Sequence, residues 1–486
     1  MTTLIPKFDL KNGGTSPAGA INRPINQKLA ESLSVLDFGA VADGNKATNS
    51  GTDNYAAFVA TCNAAVAMSN IYYTPKVKIP AGVYYFASTW IIPDGIHVEG
   101  DGIWNTVLVC PASLGSGNGI SVLNTGSGAW VTLSDFSING VLGSNTGAAI
   151  ATYKNSTLLY NLLVGGFGTG FLINNGDVFL SNFIADGADT AVSANAQAIH
   201  ITDGTSYGGL IGVKVSNIAA GGIGTVSITD FRCNGANYCG FYLKDAGQVQ
   251  LSNCSANAQD YLLFRDSGTG PYGALWIEDS YNITINGFQG NINSVQNPSV
   301  TTTTSNGINI KNSKSVEVSS SVLTGWLDGI NLLNTNNSSF TNVYSVSNLR
   351  AGTFLQTTSV NNNFSGCSFN SNVYGIYISG SSADNTFCGN QIKTNSGAGV
   401  LTTTIADKNY EINNIVNNTT NFSLAGYTWR TKFRGSDVVY ASPNPSAGTW
   451  SAGDRVINFT PAVGSPKSWV CTVSGTPGTW VSEGNL

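Results

Sequence analysis

The chain of 486 residues holds 57 glycines and only 10% Asp, Glu, Lys and Arg, with a net charge of −5, against about 25% charged residues in an average domain. A 42% share of hydrophobic residues with 9 Trp, 19 Tyr and 21 Phe excludes disorder, and a glycine content far below one third excludes collagen. No apolar run approaches the roughly 20 residues of a bilayer-spanning helix, and the acidic balance excludes a nucleic-acid groove, so neither membrane insertion nor nucleic acid is expected.

Residues 1–11 lack a charged start, an apolar centre and a small-residue cleavage site, so no secretory signal is expected. Residues 1–33 are polar and irregular, with NRPINQKLAESL offering a short helix. Residues 53–69, DNYAAFVATCNAAVAMS, form the one convincing amphipathic helix: Tyr55, Phe58, Val59, Cys62, Ala65 and Val66 share a face, and Asp53 is placed as N-cap. It is expected to plug the N-terminal end of a repeat array.

From Gly307 onward the sequence repeats itself. GINIKNSKSVEVSSS restarts as GINLLNTNNSSFTNV at Gly329, and the pattern returns at Gly352, Gly375 and Gly399, at nearly constant intervals. Each unit alternates apolar and polar residues at period 2 on both sides of an Asn/Ser/Thr turn, the pattern of short strands. Ile308, Ile310, Ile376 and Ile378 are predicted to point inward, and Asn309, Lys311, Tyr377 and Ser379 outward.

The same grammar reaches back through Gly240, Gly170 and Ala148. A strand-only repeat of this length predicts an all-β fold, a parallel β-helix whose coils stack about 4.8 Å apart. Thirteen or fourteen coils would form a rod roughly 65 Å long. Glycine and asparagine are expected to supply left-handed turns, and Asn, Ser and Thr to form uncharged ladders along the stack. The predicted boundaries are 34–94 for the N-terminal cap, 95–435 for the β-helix and 436–486 for a small C-terminal β module carrying Trp450, Trp469 and Trp480. Those tryptophans suit either a sugar-binding face or the packing of a trimer interface, the packing role being favoured because a module this small needs most of its aromatics for its own core. The eight scattered cysteines read as reduced, buried thiols, and two distant histidines leave no metal site or His-based nucleophile, so no cofactor is expected.

SVLDFGAVADG at 34–44, the helix after it and KVKIPAGVYYFASTWIIPDGIHVEGDG at 76–102 resemble the start of the pectate-lyase-like β-helix superfamily, which implies that the parallel β-helix is right-handed. With INRPINQKLAESLSVLDFGAV before and GDRVINFTPAVGSPKSWVCTVSGTPGTWVSEG at the end, the chain is similar to bacteriophage tailspike proteins. Where that family continues with D-G-x-x-x-D-D-T, this chain has Asp43-Gly44 and then NKATNSGTDN, keeping Asp53. Asp37, Gly39, Gly44 and Pro80-Ala81-Gly82 make turns and caps. The resemblance implies a virion protein made in the host cytoplasm and acting at the bacterial surface. It also implies a homotrimer that docks through residues 1–33 to another tail protein, and that binds and often cleaves a bacterial surface polysaccharide.

Glycosidic hydrolysis needs two carboxylates flanking the bond. The densest charged cluster is Lys244, Asp245, Asp260, Arg265, Asp266, Glu278 and Asp279. Aligning GFYLKDAGQVQLSN, GALWIEDSYNITIN and GINIKNSKSVEVSS stacks Tyr242, Trp276 and Asn309 in one outward column and Lys244, Glu278 and Lys311 in a second, with Asp245, Asp279 and Asn312 at the turn. An aromatic platform beside carboxylates suits a sugar ring and its scissile oxygen. Glu278, Asp279 and Asp245 are therefore the catalytic candidates, with Trp276, Tyr242, Lys244, Arg265 and Lys311 as substrate-binding residues.

The intervals from Gly240 to Ala274 and from Ala274 to Gly307 are wider than those of the later repeats, which means either loop insertions or an interposed strand, YLLFRD. If the coils are adjacent, Asp245 and Asp279 lie about 5 Å apart, the separation of a retaining pair. A plainer reading makes Lys244, Glu278 and Lys311 an ion ladder and the aspartates turn caps.

A second group, Asp186, Asp189, Asp203 and Asp230 with His200, suits a calcium site, another active site or Asx turns. Asp328 and Trp326 suit coil-corner packing. The function expected is a depolymerase acting by glycoside hydrolysis. The alternatives are a non-enzymatic receptor-binding tail protein and a polysaccharide lyase, for which Arg232, Arg265 and Lys244 are available cations.

Overall fold

A computed structural model of the chain describes the backbones of Lys7–Phe8 and Arg23–Pro24 and residues 32–68, 76–124, 129–216, 225–236, 238–258, 273–292, 305–404, 408–425, 429–441 and 444–486. It divides into two compact units, 1–209 and 210–486.

In the first unit, the segment expected as a short helix at 22–33 is strand wherever it is described. Arg23–Pro24 pairs antiparallel with Lys7–Phe8, and Ser32–Ser34 pairs in parallel with Lys76–Lys78. The amphipathic helix forms as Tyr55–Met68. Its first carbonyl bond runs from the Phe58 amide to Asn54, so the N-cap is Asn54 rather than Asp53. Asp53 lies just outside and accepts from the Tyr55 and Ala87 amides, both at 3.1 Å. The Asn54 side chain ties the helix start to the Val41 backbone, accepting at 2.6 Å and donating at 3.0 Å.

Phe58, Thr61, Cys62 and Ala65 are buried, while Val66 is exposed. Phe58 meets Tyr84, Phe86 and Trp90 edge-on at 5.6, 4.6 and 4.9 Å, a geometry worth about 1 kcal/mol per ring pair beyond burial. The helix thus caps the apolar interior of the first coils.

Those coils repeat at a constant interval, as Thr157, Val178 and Ile199 pair in parallel register. Their long strands Val131–Asn139, Thr157–Gly165, Val178–Asp186 and Ile199–Tyr207 bend at a left-handed residue: Asp135, Asn161, Asn182 and Asp203. Asp and Asn tolerate that conformation because their short polar side chains bond locally. Asn161 donates to Asp135, and Asn182 to Asn161.

In the second unit, one parallel sheet runs through Ile211–Ser216, Cys239–Lys244, Gly273–Glu278, Asn306–Lys311, Asp328–Leu333, Ala351–Gln356, Tyr374–Ile378 and Ala398–Thr402. A second follows Val226–Thr229 through Gly247–Ser252, Tyr281–Asn286, Lys314–Ser319 and onward to Asn409–Ile412. The chain is a right-handed parallel β-helix. Ile308, Ile310, Ile376 and Ile378 are buried as expected, and Phe340, Phe364 and Phe387 stack inside at 4.6 and 4.9 Å.

The repeat glycines have a different role from the one expected. Gly352 opens a strand without a left-handed φ, and a Cβ there would sit 2.7 Å from the Gly375 carbonyl oxygen. Close approach of successive coils requires it. The left-handed turns fall on Asp245 and Asp279 and, as expected, on asparagines such as Asn312 and Asn334 and on other glycines between strands, among them Gly287, Gly325 and Gly366.

The C-terminal sheet begins at Trp429–Phe433, which pairs antiparallel with Ser436–Ala441, and continues through Arg455–Asn458, Ser468–Val473 and Thr479–Ser482. Trp450 is buried with Val439, Val456 and Cys471, and Trp469 and Trp480 pack against that core. Trp480 meets Trp450 edge-on at 5.0 Å, and the Arg430 guanidinium lies 3.9 Å over the Trp450 ring. All eight cysteines are free and all but Cys388 are buried; burial pushes the Cys62 and Cys110 thiols up to about 12.

Candidate active site

The parallel register pairs Tyr242 with Trp276 and Trp276 with Asn309, and Lys244 with Glu278 and Glu278 with Lys311. The three coils are therefore consecutive, and the extra residues of the two wider intervals fall after Ala258 and after Ile292, outside the described residues. YLLFRD lies within 259–272, outside the described residues, as do Arg265, Asp260 and Asp266.

Glu278 is the centre of this patch. Its side chain is 15% exposed. The Tyr242 hydroxyl donates to one carboxylate oxygen at 3.2 Å and Lys311 Nζ to the other at 2.7 Å. Burial by itself would raise the Glu278 pKa, but the Lys311 ammonium, the Tyr242 hydroxyl and the charge of Lys244 carry it below the ordinary glutamate value. The group is a stable anion. Tyr242 is pushed up, first by burial and then by the Glu278 charge, so it stays a neutral donor.

Asp245 and Asp279 are exposed and sit in the left-handed turn on successive coils. Their amides donate across the stack, Asp245 N to Glu278 O and Asp279 N to Lys311 O, both at 3.1 Å. The Asp279 carboxylate accepts from Asn312 Nδ2 at 3.2 Å, and Asn334 repeats the contact on Asn312 at 3.1 Å. Just inside, Ser280 Oγ accepts from the Ala246 amide at 3.1 Å and donates to the Glu278 carbonyl at 2.7 Å, which locks the turn that presents Glu278 and Asp279.

The register column continues beyond Asn309 through Asn331, Phe354 and Tyr377, but Asn309, expected to be outward, is buried together with Asn331 and Phe354, because Asn309 accepts from Asn306 and Asn331 and Asn331 accepts from Gln356 along the stack. Phe354 and Tyr377 stack at 4.3 Å, with the Arg350 guanidinium 4.5 Å over the Phe354 ring. Arg350 holds Asp328 through two bonds, at 2.9 and 2.5 Å. Burial raises the Asp328 pKa and Arg350 offsets that only in part. Asp328 and Trp326 are thus buried corner residues, Trp326 donating its indole N–H to the Gly290 carbonyl at 2.9 Å. The Phe354 and Tyr377 extension carries a sequence signal: each stands at the same offset from its repeat glycine as Tyr242 does from Gly240.

In the second acidic group, Asp203 and Asp230 occupy left-handed turns, and Asp203 accepts from the Thr202 hydroxyl at 3.2 Å. Among the described residues no three His, Cys, Asp or Glu side chains gather as metal ligands. The sequence does not announce a cavity of about 650 Å³ lined by Phe422, Leu424, Trp429, Tyr440 and Phe459, with Glu411 as its charged residue, because it forms between the last coils and the C-terminal sheet.

The structure superposes on tailspike protein 3 of bacteriophage CBA120 with a TM-score of 0.56, at 15% identity, over 99% of this chain and 73% of that one. The fold is that of phage tailspikes. The N-terminal fragment of gene product 12 from bacteriophage Phi29 gives a TM-score of 0.52 at 14% identity, over 85% and 74% of the two chains. The catalytic unit of an α-1,3-glucanase from Streptomyces thermodiastaticus gives 0.47 at 13% identity, over 80% and 69%. In sequence, residues 257–442 match the model of the NosD family, described as periplasmic copper-binding proteins. That segment holds neither histidine nor methionine. No curated protein matches the chain significantly in sequence.

Proposed function

We propose that this protein is a phage tailspike depolymerase that binds a bacterial surface polysaccharide along the Tyr242–Trp276 face and hydrolyses it. The observation that carries this reading is Glu278, an anion fixed by two donors beside an aromatic platform, on consecutive coils whose strands end in register at Ala258 and Ile292. Loops at one level of a regular scaffold are where binding sites form.

In the proposed reaction a sugar ring stacks on Trp276 and Tyr242. A Glu278 oxygen attacks the anomeric carbon as the bond to the leaving oxygen breaks, and that oxygen takes a proton from Asp279 or Asp245, one coil apart. Water then donates a proton back to that aspartate and displaces Glu278 from the anomeric carbon, completing a retaining hydrolysis. Lys311 and Tyr242 hold the Glu278 carboxylate in place, and Lys244, Lys311 and Arg265 bind substrate hydroxyl or acidic groups. The assembly proposed is a homotrimer on the phage tail, attached through residues 1–33 to another tail protein.

Incubating the purified protein with capsule, exopolysaccharide or O-antigen of its host tests this. New reducing ends are expected, without the ultraviolet-absorbing double bond that a lyase would leave. A second reading rests on the Asp279–Asn312–Asn334 ladder and the Glu278–Lys311 pair, which also serve to hold coils together: a receptor-binding tail protein that retains the polymer without cutting it. Intact polymer with retained binding selects that reading.

A further inference from the structure

Two inward columns of the β-helix stop at its last coils. In one, Phe340, Phe364 and Phe387 are followed in register by Glu411. In the other, buried Val400 is followed by Phe422. A half-buried carboxylate thus stands where the preceding coils place phenyl rings, although a charge in an apolar setting is costly unless it is paired.

The C-terminal sheet covers this end without filling it. Val439 and Val456 turn to the module's own core around Trp450, and on the opposite face Thr431 and Val438, which pair across the hairpin, line the cavity of about 650 Å³. Trp429 packs against Phe387 at 5.1 Å, while Tyr440 and Phe459, 55% and 64% exposed, form the mouth. The same alternation sends the cations away from the cavity. Lys408, Arg430 and Lys432 pair with Asp437 at 3.4, 2.8 and 2.6 Å, and Arg430 lies over Trp450 on the core side. Among the described residues, Glu411 is the charged group that lines the cavity.

We infer that this cavity is a binding site for a small organic cation, an ammonium head carried on an apolar body. The head meets the Glu411 carboxylate, and the rings of Phe422, Trp429, Tyr440 and Phe459 attract it through their negative faces. The volume falls in the range of roughly 300–1,000 Å³ typical of small-molecule sites. A neutral apolar occupant would desolvate Glu411 without pairing it, and an anion would be repelled. A metal ion fits poorly, since no three ligating side chains gather among the described residues. The site shares no residue with the Glu278 patch and stands whether or not that patch cleaves glycan.

Calorimetric titration of the full-length protein with benzyltrimethylammonium tests this, with benzyl alcohol and benzoate as neutral and anionic controls. Saturable binding of the cation is expected, at least about tenfold tighter than either control. Glu411→Gln should weaken the cation about tenfold and leave benzyl alcohol unchanged. Phe459→Ala and Tyr440→Ala, at exposed rings whose loss leaves melting unchanged, should weaken the cation as well. Glu317→Gln, at an exposed strand position, serves as the unaffected control. Absence of saturable binding, equal affinity of the parent and Glu411→Gln for the cation, or equally tight benzyl alcohol would each overturn the inference. If the cation fails to bind and Phe459→Ala separates copies of the chain in sedimentation, the cavity belongs to a second copy instead.

Discussion

The coils that carry Glu278 and the coils between Asn348 and Asn418 share one strand register but differ in the polar side chains they turn inward and outward. In the later coils, asparagines turn into the corners and pair with each other. Asn362 donates to Asn385 at 3.0 Å and Asn385 to Asn409 at 2.9 Å, and Asn395 donates to Asn418 at 3.0 Å. Asn385 is fully buried, and its oxygen also accepts the Asn362 amide at 3.0 Å while its nitrogen reaches the Ser359 carbonyl at 2.9 Å. In the earlier coils the buried corner positions carry serines, Ser280 and Ser313, which accept amides of the coil before, while the outward columns carry Tyr242, Trp276, Glu278 and Lys311. Inward amides stabilise the stack, whereas outward charged and aromatic residues can change without unfolding it. Stability and chemistry are therefore separable along this molecule.

The largest effect is expected from the inward side. Asn385→Ala leaves several buried donors and acceptors unpaired at about 1–3 kcal/mol each, so a loss of about 4 kcal/mol is expected in chemical denaturation. A change under about 1 kcal/mol would mean that the ladders are not what holds these coils.

Glu278→Gln should do the reverse, lowering reducing-end release at least about 100-fold while shifting stability by about 1 kcal/mol or less, since its Lys311 partner is partly solvated. Retained cleavage would remove Glu278 from the reaction. Trp276→Ala is expected to weaken polysaccharide binding about tenfold, read by titration of a cleavage-deficient parent.

Asp279→Asn gives the sharpest division, because asparagine already occupies the equivalent turn at Asn312 and Asn334 with the same left-handed backbone. Stability should stay within about 0.5 kcal/mol, and any loss of cleavage then reports chemistry alone.

The smallest effect is in pH dependence. The folded state binds a proton at Glu278 more weakly than the unfolded chain does. Its contribution to stability is thus complete above the ordinary value of 4.5 and fades as pH falls through the lowered folded value. Comparing acid unfolding of the parent and Glu278→Gln should show a shallower slope below pH 4.5 in the variant.

The columns of the candidate site are legible from the repeat glycines, because a period-2 strand in a stacked coil has one register that keeps its apolar residues inside. That is why aligning Gly240, Ala274 and Gly307 brings Tyr242, Trp276 and Asn309 together. The partners of Glu278 are less accessible. Lys311 shares its column, but the Tyr242 hydroxyl comes from the other column of a neighbouring strand and crosses diagonally. Sequence alone places the N-cap one position early because Asp53 and Asn54 are both good caps, and the choice falls to the Val41 backbone, which claims Asn54.

Sequence by itself determined the class of fold and most of the inward and outward faces, since both follow from local periodicity, whereas the adjacency of the site coils rests on the register that pairs Trp276 with Tyr242 and Asn309. Tertiary structure decided which residues turn left-handed, which glycines are demanded by close approach, and which exposed rings line up. Those depend on the coil above or below, a full repeat away in sequence, where only the stacking of the coils brings side chains into contact.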